Sequence, residues 1–153
     1  MIRRATIKDV KDMHRLITEQ AGNGRLLPRA LSELYAQVRD FLVYADDATG
    51  AIVGCGALQI VWEDLAEIRS LAVTTREQGR GLGTALLEQL LIDAVEMGVE
   101  RLFVLTYQPG LFERLGFERM DKSLLPHKIW ADCIRCTKFP ECDEIALVKS
   151  GLR

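Results

Sequence analysis

The 153-residue chain is 48% hydrophobic and 27% charged, with a formal net charge of −2, the profile of one ordinary globular domain able to bury a core. That charge balance speaks against a general nucleic-acid binder, which needs a basic excess, and no apolar run approaches the ~18–20 residues of a membrane span. Residues 1–6 lack the apolar stretch of a secretory signal, so a cytoplasmic protein is expected, with its four cysteines reduced or metal-bound rather than disulfide-paired.

In chain order, residues 2–6 read as a short strand. Thr6 or Asp9 is placed to cap a helix over about 9–20, where Val10, Met13, Leu16 and Ile17 recur at helical spacing. Gly22-Asn23-Gly24 breaks the chain, and Leu31, Leu34, Tyr35 and Val38 mark a second short helix after Pro28. Residues 41–45 and 51–62 are strands joined by a polar turn, which makes an antiparallel hairpin. Residues 66–74 form a further strand. The segment 82–97 is the clearest helix: Leu82, Leu86, Leu90 and Ala94 make one apolar row, Leu87, Leu91 and Val95 its neighbour, and Gly98 a C-terminal cap. Residues 102–106 read as a buried strand, 111–115 as a short helix closed by Gly116, and 145–148 as a last strand. A hairpin followed by strand–helix–strand implies a mixed sheet with helices packed on it. No repeat, low-complexity stretch or linker divides residues 1–153, so one domain is expected, with a cysteine-containing segment at about 121–144.

The strongest chemical signal is Gln78-Gly79-Arg80-Gly81-Leu82-Gly83, between a strand and a strong helix. Glycines let backbone amides approach a ligand closely, and a helix N-terminus favours an anion. Arg76 and Arg80 add positive charge, so the chemistry points to a phosphate or pyrophosphate; the alternative is a glycine turn with no ligand. No lysine follows these glycines as a P-loop requires. The G-x-G-x-G spacing and the acid-free strand end Leu105-Thr106-Tyr107 do not fit a dinucleotide fold.

The segment resembles instead the acetyl-CoA signature of the GNAT acetyltransferases, [QR]-x-x-G-x-[GA], met by Gln78, Gly81 and Gly83. Leu71-Ala72-Val73 before it and Ala85-Leu86-Leu87 after it match as well. Phe112-Glu113-Arg114-Leu115-Gly116-Phe117 resembles the family's later Y-E-K-L-G-F element, and Ile2-Arg3-Arg4-Ala5-Thr6 with Asp9 its opening strand. The likeness spans roughly residues 2–120. It implies the GNAT fold, an α/β architecture whose mixed central sheet carries helices on both faces.

By that resemblance the amides of Gln78, Gly79, Arg80, Gly81, Leu82, Gly83 and Thr84 hold the pyrophosphate of acetyl-CoA as co-substrate. Leu71, Ala72 and Val73 pair with its pantetheine arm, beside Phe112, and the Leu71 N–H stabilises the thioester oxyanion, a term of roughly 3 kcal/mol. The substrate amine is its own nucleophile and must lose a proton. Glu67 is the candidate base, directly or through water, because strand alternation sets 67, 69, 71 and 73 on one side; its alternative is an ordinary strand residue paired with Arg69. Phe112 stands where many relatives carry a thiolate-protonating tyrosine, which leaves water or Tyr107 for that step.

Arg25-Leu26-Leu27-Pro28-Arg29, then Glu33-Leu34-Tyr35 and Phe41, with Leu102-Phe103-Val104-Leu105-Thr106 and Leu124-Leu125-Pro126, resemble the acetyltransferase domain of the bacterial N-acetylglutamate synthases. Their usual long form adds an arginine-binding, amino-acid-kinase-like domain without a counterpart here, so any feedback control is expected to differ. The resemblance implies L-glutamate as acceptor, in the first step of arginine biosynthesis. Arginine forks suit its carboxylates: Arg29 is the leading candidate, Lys128 the second, with Arg69 and Arg25 also in play, each against the alternative of a solvated charge.

Cys133, Cys136 and Cys142 with His127 have the makings of a zinc site, in which Asp143 or Glu144 can compete for the fourth place. Reduced thiols near the acceptor site are the simpler reading, and no metal is expected. Cys55 reads as core and His14 as surface. The competing functions are acetylation of another amino acid, a polyamine or a protein N-terminus, and a CoA-binding regulatory module without turnover. Family members are often dimers, so a homodimer is admitted as a partner.

Overall fold

The computed structural model describes residues 1–125 and 144–152. Strand β1 (Ile2–Arg4) is followed by α1 (Val10–Gly22), α2 (Leu31–Ala36), β2 (Phe41–Ala45), β3 (Ile52–Trp62), β4 (Leu65–Val73) and α3 (Leu82–Glu96). Then come β5 (Arg101–Thr106), α4 (Pro109–Arg114), β6 (Glu118–Met120) and β7 (Ile145–Ser150). The seven strands form one sheet in the order β1-β2-β3-β4-β5-β7-β6, antiparallel throughout except for the parallel pair β4–β5.

Both faces are covered, as the mixed-sheet expectation requires. On one, α3 buries Leu86, Leu87, Leu90 and Ala94 and α4 buries Phe112, against Leu58, Ala66, Ile68 and Val104 of the sheet. Phe112 meets Phe117 edge to face, with ring centroids 5.4 Å apart, an arrangement favoured by the ring quadrupoles. On the other, Val10, Met13, Leu16 and Ile17 of α1 and Leu34 of α2 close over Phe41, Val43, Cys55, Ala57 and Ala72. The apolar stripes at helical spacing are these two interfaces. Burial pushes the Cys55 thiol up to about 12, which suits a core residue.

Several boundaries differ from the sequence reading. The first strand ends at Arg4 because the Asp9 carboxylate reaches back, accepting from the Thr6 N–H at 2.8 Å and from the Arg3 guanidinium at 2.7 Å. This turns 7–9 into a single 3-10 turn ahead of α1. Helix α4 begins at Pro109 rather than 111, since proline is suited to a helix's first turn. The short polar strand β6 has no apolar alternation, and sequence pattern does not reveal it.

The largest correction concerns β4. Ala57 pairs with Arg69 and Cys55 with Ala72, so Ser70 and Leu71 together oppose Gly56 alone. This is a β-bulge, and Ser70 sits at φ 54°, the only positive value among the described non-glycine residues. The alternation stops there. Leu71 packs with Ala66 and Ile68 on the α3 face, while Ala72 belongs to the α1 face. Glu67 and Leu71 therefore lie on opposite sides of the strand, not on one side.

Candidate functional site

The parallel rungs between β4 and β5 end at Ile68↔Val104. Beyond them the bulge bends β4 away, and the two strands diverge around a cleft of about 470 Å³. One wall is Ser70, Leu71, Ala72 and Val73; the other is Val104, Leu105, Thr106 and Gln108, with Leu111 and Phe112 of α4. A strand that leaves its partner exposes a row of ladder amides and carbonyls, ready to pair with an extended ligand.

At the mouth lies the glycine turn. Gly79 and Gly81 adopt φ 83° and 82°, where a side chain would be strained, so the first two glycines are demanded by backbone shape. Gly81 is the N-cap of α3 and no acidic residue stands in that helix's first turn. The first amides of a helix have no partner within it, which makes this end of the cleft an anion-binding surface. Gln78, Gly79, Gly81, Leu82, Gly83 and Thr84 all border the cleft. Arg80 is not part of its wall, and its guanidinium pairs with Glu77 at 3.1 Å. Tyr107 is half-buried just past β5 and also lies off the wall, between Thr106 and Gln108, which are on it.

A polar network ties the turn to α1. The Gln78 Nε2 donates to the Val73 carbonyl at 2.9 Å and to Gln20 Oε1 at 3.0 Å, while its Oε1 accepts from Arg25 Nη1. Gln20 is only 2% exposed; its own amide donates to Thr75 Oγ1 at 3.3 Å.

Behind the bulge, on the α1 face, a buried charged cluster forms. Arg29 is 8% exposed. Its Nη1 donates to Ser70 Oγ at 3.0 Å and its Nη2 to Gln37 Oε1. Nε lies 3.6 Å from a Glu33 carboxylate oxygen and has no hydrogen-bond partner among the described residues. Arg69 donates to Gln59 Oε1 at 2.7 Å, and its Nε is 3.7 Å from Glu67 Oε1. Burial, then repulsion from Arg69, holds the Arg29 guanidinium below its ordinary value, against the pull of Glu33 and Glu67. Burial raises the Asp40 carboxyl, opposed by both arginines. A guanidinium with an unfilled buried donor is primed for a further acceptor, and carboxylate is its natural partner.

The structure thus brings together Arg29, Arg69 and Glu67, and joins them through Ser70 to the cleft lined by Leu71, Ala72, Val73 and the glycine turn. Lys128, with His127, Cys133, Cys136, Cys142 and Asp143, lies outside the described residues. Ser70, Gln20 and Thr106 were not legible as site residues. Glu144, weighed only as a metal ligand, is buried and borders the cleft at the start of β7.

The acetyltransferase (GNAT) family matches residues 10–117, most of the chain and all of the cleft's β4, turn and α4 elements. The chain belongs to this family. It is 39% identical to an uncharacterized N-acetyltransferase of Chlorobaculum tepidum over 97% of its own length and 95% of the relative's. It is 36% identical to an amino-acid acetyltransferase of Mycobacterium tuberculosis, covering 88% of this chain and 78% of that one. Among solved structures, the N-acetylglutamate synthase of Neisseria gonorrhoeae complexed with coenzyme A and N-acetyl-glutamate superposes with a TM-score of 0.89 at 29% identity. That match takes in 100% of this GNAT chain and 35% of the synthase. No helix among the described residues is long and apolar enough to cross a membrane.

Proposed function

We propose that this protein transfers the acetyl group of acetyl-CoA to the α-amine of L-glutamate. One observation carries the glutamate assignment: Arg29, buried and held at Nε only by a long 3.6 Å ion pair to Glu33, stands beside Arg69 and touches the cleft through Ser70. A buried guanidinium and a half-buried one next to an acyl-transfer cleft suit a small, doubly anionic acceptor. The amino-acid acetyltransferase relative and the synthase bound to N-acetyl-glutamate support the same reading.

In this account the amides of the glycine turn and the first turn of α3 bind the diphosphate of CoA, and the open edge of β4 pairs with pantetheine. The Leu71 N–H, at the bulge, donates to the thioester oxyanion as the amine nitrogen attacks the carbonyl carbon. The nitrogen of the tetrahedral intermediate then gives its second proton to solvent, the C–S bond breaks and the thiolate leaves. Glu67, on the acceptor side of β4, takes the ammonium proton through a water before attack. Phe112 has no proton to give, so solvent or Tyr107, which lies between the cleft-lining Thr106 and Gln108, protonates the thiolate, a modestly basic leaving group if its pKa is near the roughly 8.5 of a cysteine thiol.

The test is release of free CoA thiol from acetyl-CoA across a panel of amino acids, polyamines and short peptides. Selective turnover with L-glutamate is the expected result; turnover with another amine in preference to it overturns the acceptor assignment.

A further inference from the structure

The connection between α1 and α2, residues 23–30, touches both ends of the cleft. Arg29 near its end reaches Ser70 behind the bulge, while Arg25 near its start reaches Gln78 in the glycine turn. Arg25 is exposed and borders the cleft beside Gln78, Gly79 and Gly81. It has no carboxylate partner among the ion pairs of the described residues. Glu77, which also borders the cleft, is engaged by Arg80. Among the described residues only the Gln78 amide oxygen holds the Arg25 guanidinium, and Gln78 opens the glycine turn that borders the cleft.

A surface arginine normally keeps its conformational freedom, because ordering so long a side chain is costly. Here the ordering rests on a buried scaffold. Gln78 is fixed by the Val73 carbonyl and by Gln20, and Gln20, 2% exposed, is fixed in turn by Thr75. The network spends a buried side chain of α1 on the position of a residue that ends in solvent. It places a full positive charge, with several N–H donors unspent, over amides that can supply only partial charge.

We propose that Arg25 is a diphosphate-binding arm, delivered from the acceptor-side connection onto the CoA turn and held there by the Gln20–Gln78 pair. The inference rests on the reading that the cleft binds CoA. It adds a side-chain contact to a site otherwise built from backbone, and it makes one segment serve both substrates.

The experiment is calorimetric titration of the full chain and of R25A, R25K and R15A with CoA and with dephospho-CoA, which keeps the diphosphate but lacks the 3′-phosphate. Pantetheine, which has neither, is titrated at millimolar concentration by ligand-observed NMR. Arg15 pairs with Asp12 on the surface of α1, so R15A removes an equal charge away from the cleft. Loss of one charged donor at an open site corresponds to about tenfold in affinity. R25A is expected to bind CoA and dephospho-CoA about tenfold more weakly, with R25K intermediate, R15A unchanged and pantetheine unaffected; the R25A deficit shrinks in molar salt. Equal weakening of pantetheine, a loss confined to CoA, or no loss at all overturns the assignment. Wild-type protein that binds no CoA overturns the CoA reading itself. Wild-type protein that binds CoA here but turns over no glutamate in the thiol-release assay overturns the acceptor assignment alone, leaving the Arg25 comparison intact.

Discussion

The Arg29 guanidinium donates to the Ser70 hydroxyl across 3.0 Å, joining the segment after α1 to the residue that bends β4. Ser70 carries the positive φ of the bulge, and the bulge separates β4 from β5 to open the cleft. One contact therefore links the charged acceptor side to the element that shapes the acetyl-donor side.

Removing that arginine tests the acceptor site. Arg29→Ala is expected to raise the glutamate KM at least tenfold, since a buried charged hydrogen bond contributes roughly 1.5–3 kcal/mol. The acetyl-CoA KM should change little. Steady-state kinetics with each substrate varied in turn decides it, and an unchanged glutamate KM contradicts the role.

Glu67 is tested by pH as much as by rate. Glu67→Gln should lower kcat by about 100-fold near neutrality, the usual scale of a general base. Because the lost step is deprotonation of the amine, the deficit should narrow as pH rises and the free amine becomes abundant. A parallel offset at every pH would assign Glu67 a packing role beside Arg69.

Ser70 bears on backbone strain. A β-branched residue is poorly accommodated at positive φ, so Ser70→Val should cost about 1–3 kcal/mol in denaturant unfolding, besides removing the Arg29 contact. Ser70→Gly relieves the φ constraint and also loses the hydroxyl. It should unfold within about 1 kcal/mol of wild type while still raising the glutamate KM. Equal stability of the valine and glycine variants would contradict the bulge argument.

Asp9 gives a prediction in acid. Its hydrogen bond from Arg3, reinforced by Thr6, lowers its carboxyl from the ordinary 3.8 to about 2. A carboxyl depressed in the folded state stabilises above its unfolded value, and that stability is lost as pH falls through the folded one. Wild-type protein should therefore lose on the order of 2 kcal/mol between about pH 4 and pH 2 from this group. Urea unfolding of Asp9→Asn across that window should show a flatter pH dependence by a similar amount; an identical slope would contradict it.

Much of the fold was legible because its signals are local and periodic. The apolar rows of α3, the stripe Val10, Met13, Leu16 and Ile17 of α1, and the glycine turn all stand where pattern puts them. The cleft's donor half was readable for the same reason: glycines at 79 and 81 announce a left-handed backbone. The acceptor half was readable residue by residue but not as geometry. Ser70 at positive φ is not written in any spacing, and a one-residue bulge reverses every face after it, which is why Leu71 was assigned to the side of Glu67. Gln20 reads as an ordinary polar helix residue, and only the tertiary contact of α1 with the turn after β4 makes it part of the site. Strand β6 is too short and polar to carry a pattern; β7 holds it in register.

The central claim is that a GNAT cleft and the neighbouring arginines, buried Arg29 and half-buried Arg69, act on one acceptor, L-glutamate. Its most direct test is mass spectrometry of products formed from acetyl-CoA and an equimolar mixture of the natural amino acids and common polyamines. The account predicts N-acetylglutamate as the dominant product, formed one for one with free CoA and lost in Arg29→Ala. A different acetylated amine dominating the mixture, with glutamate untouched, would contradict it.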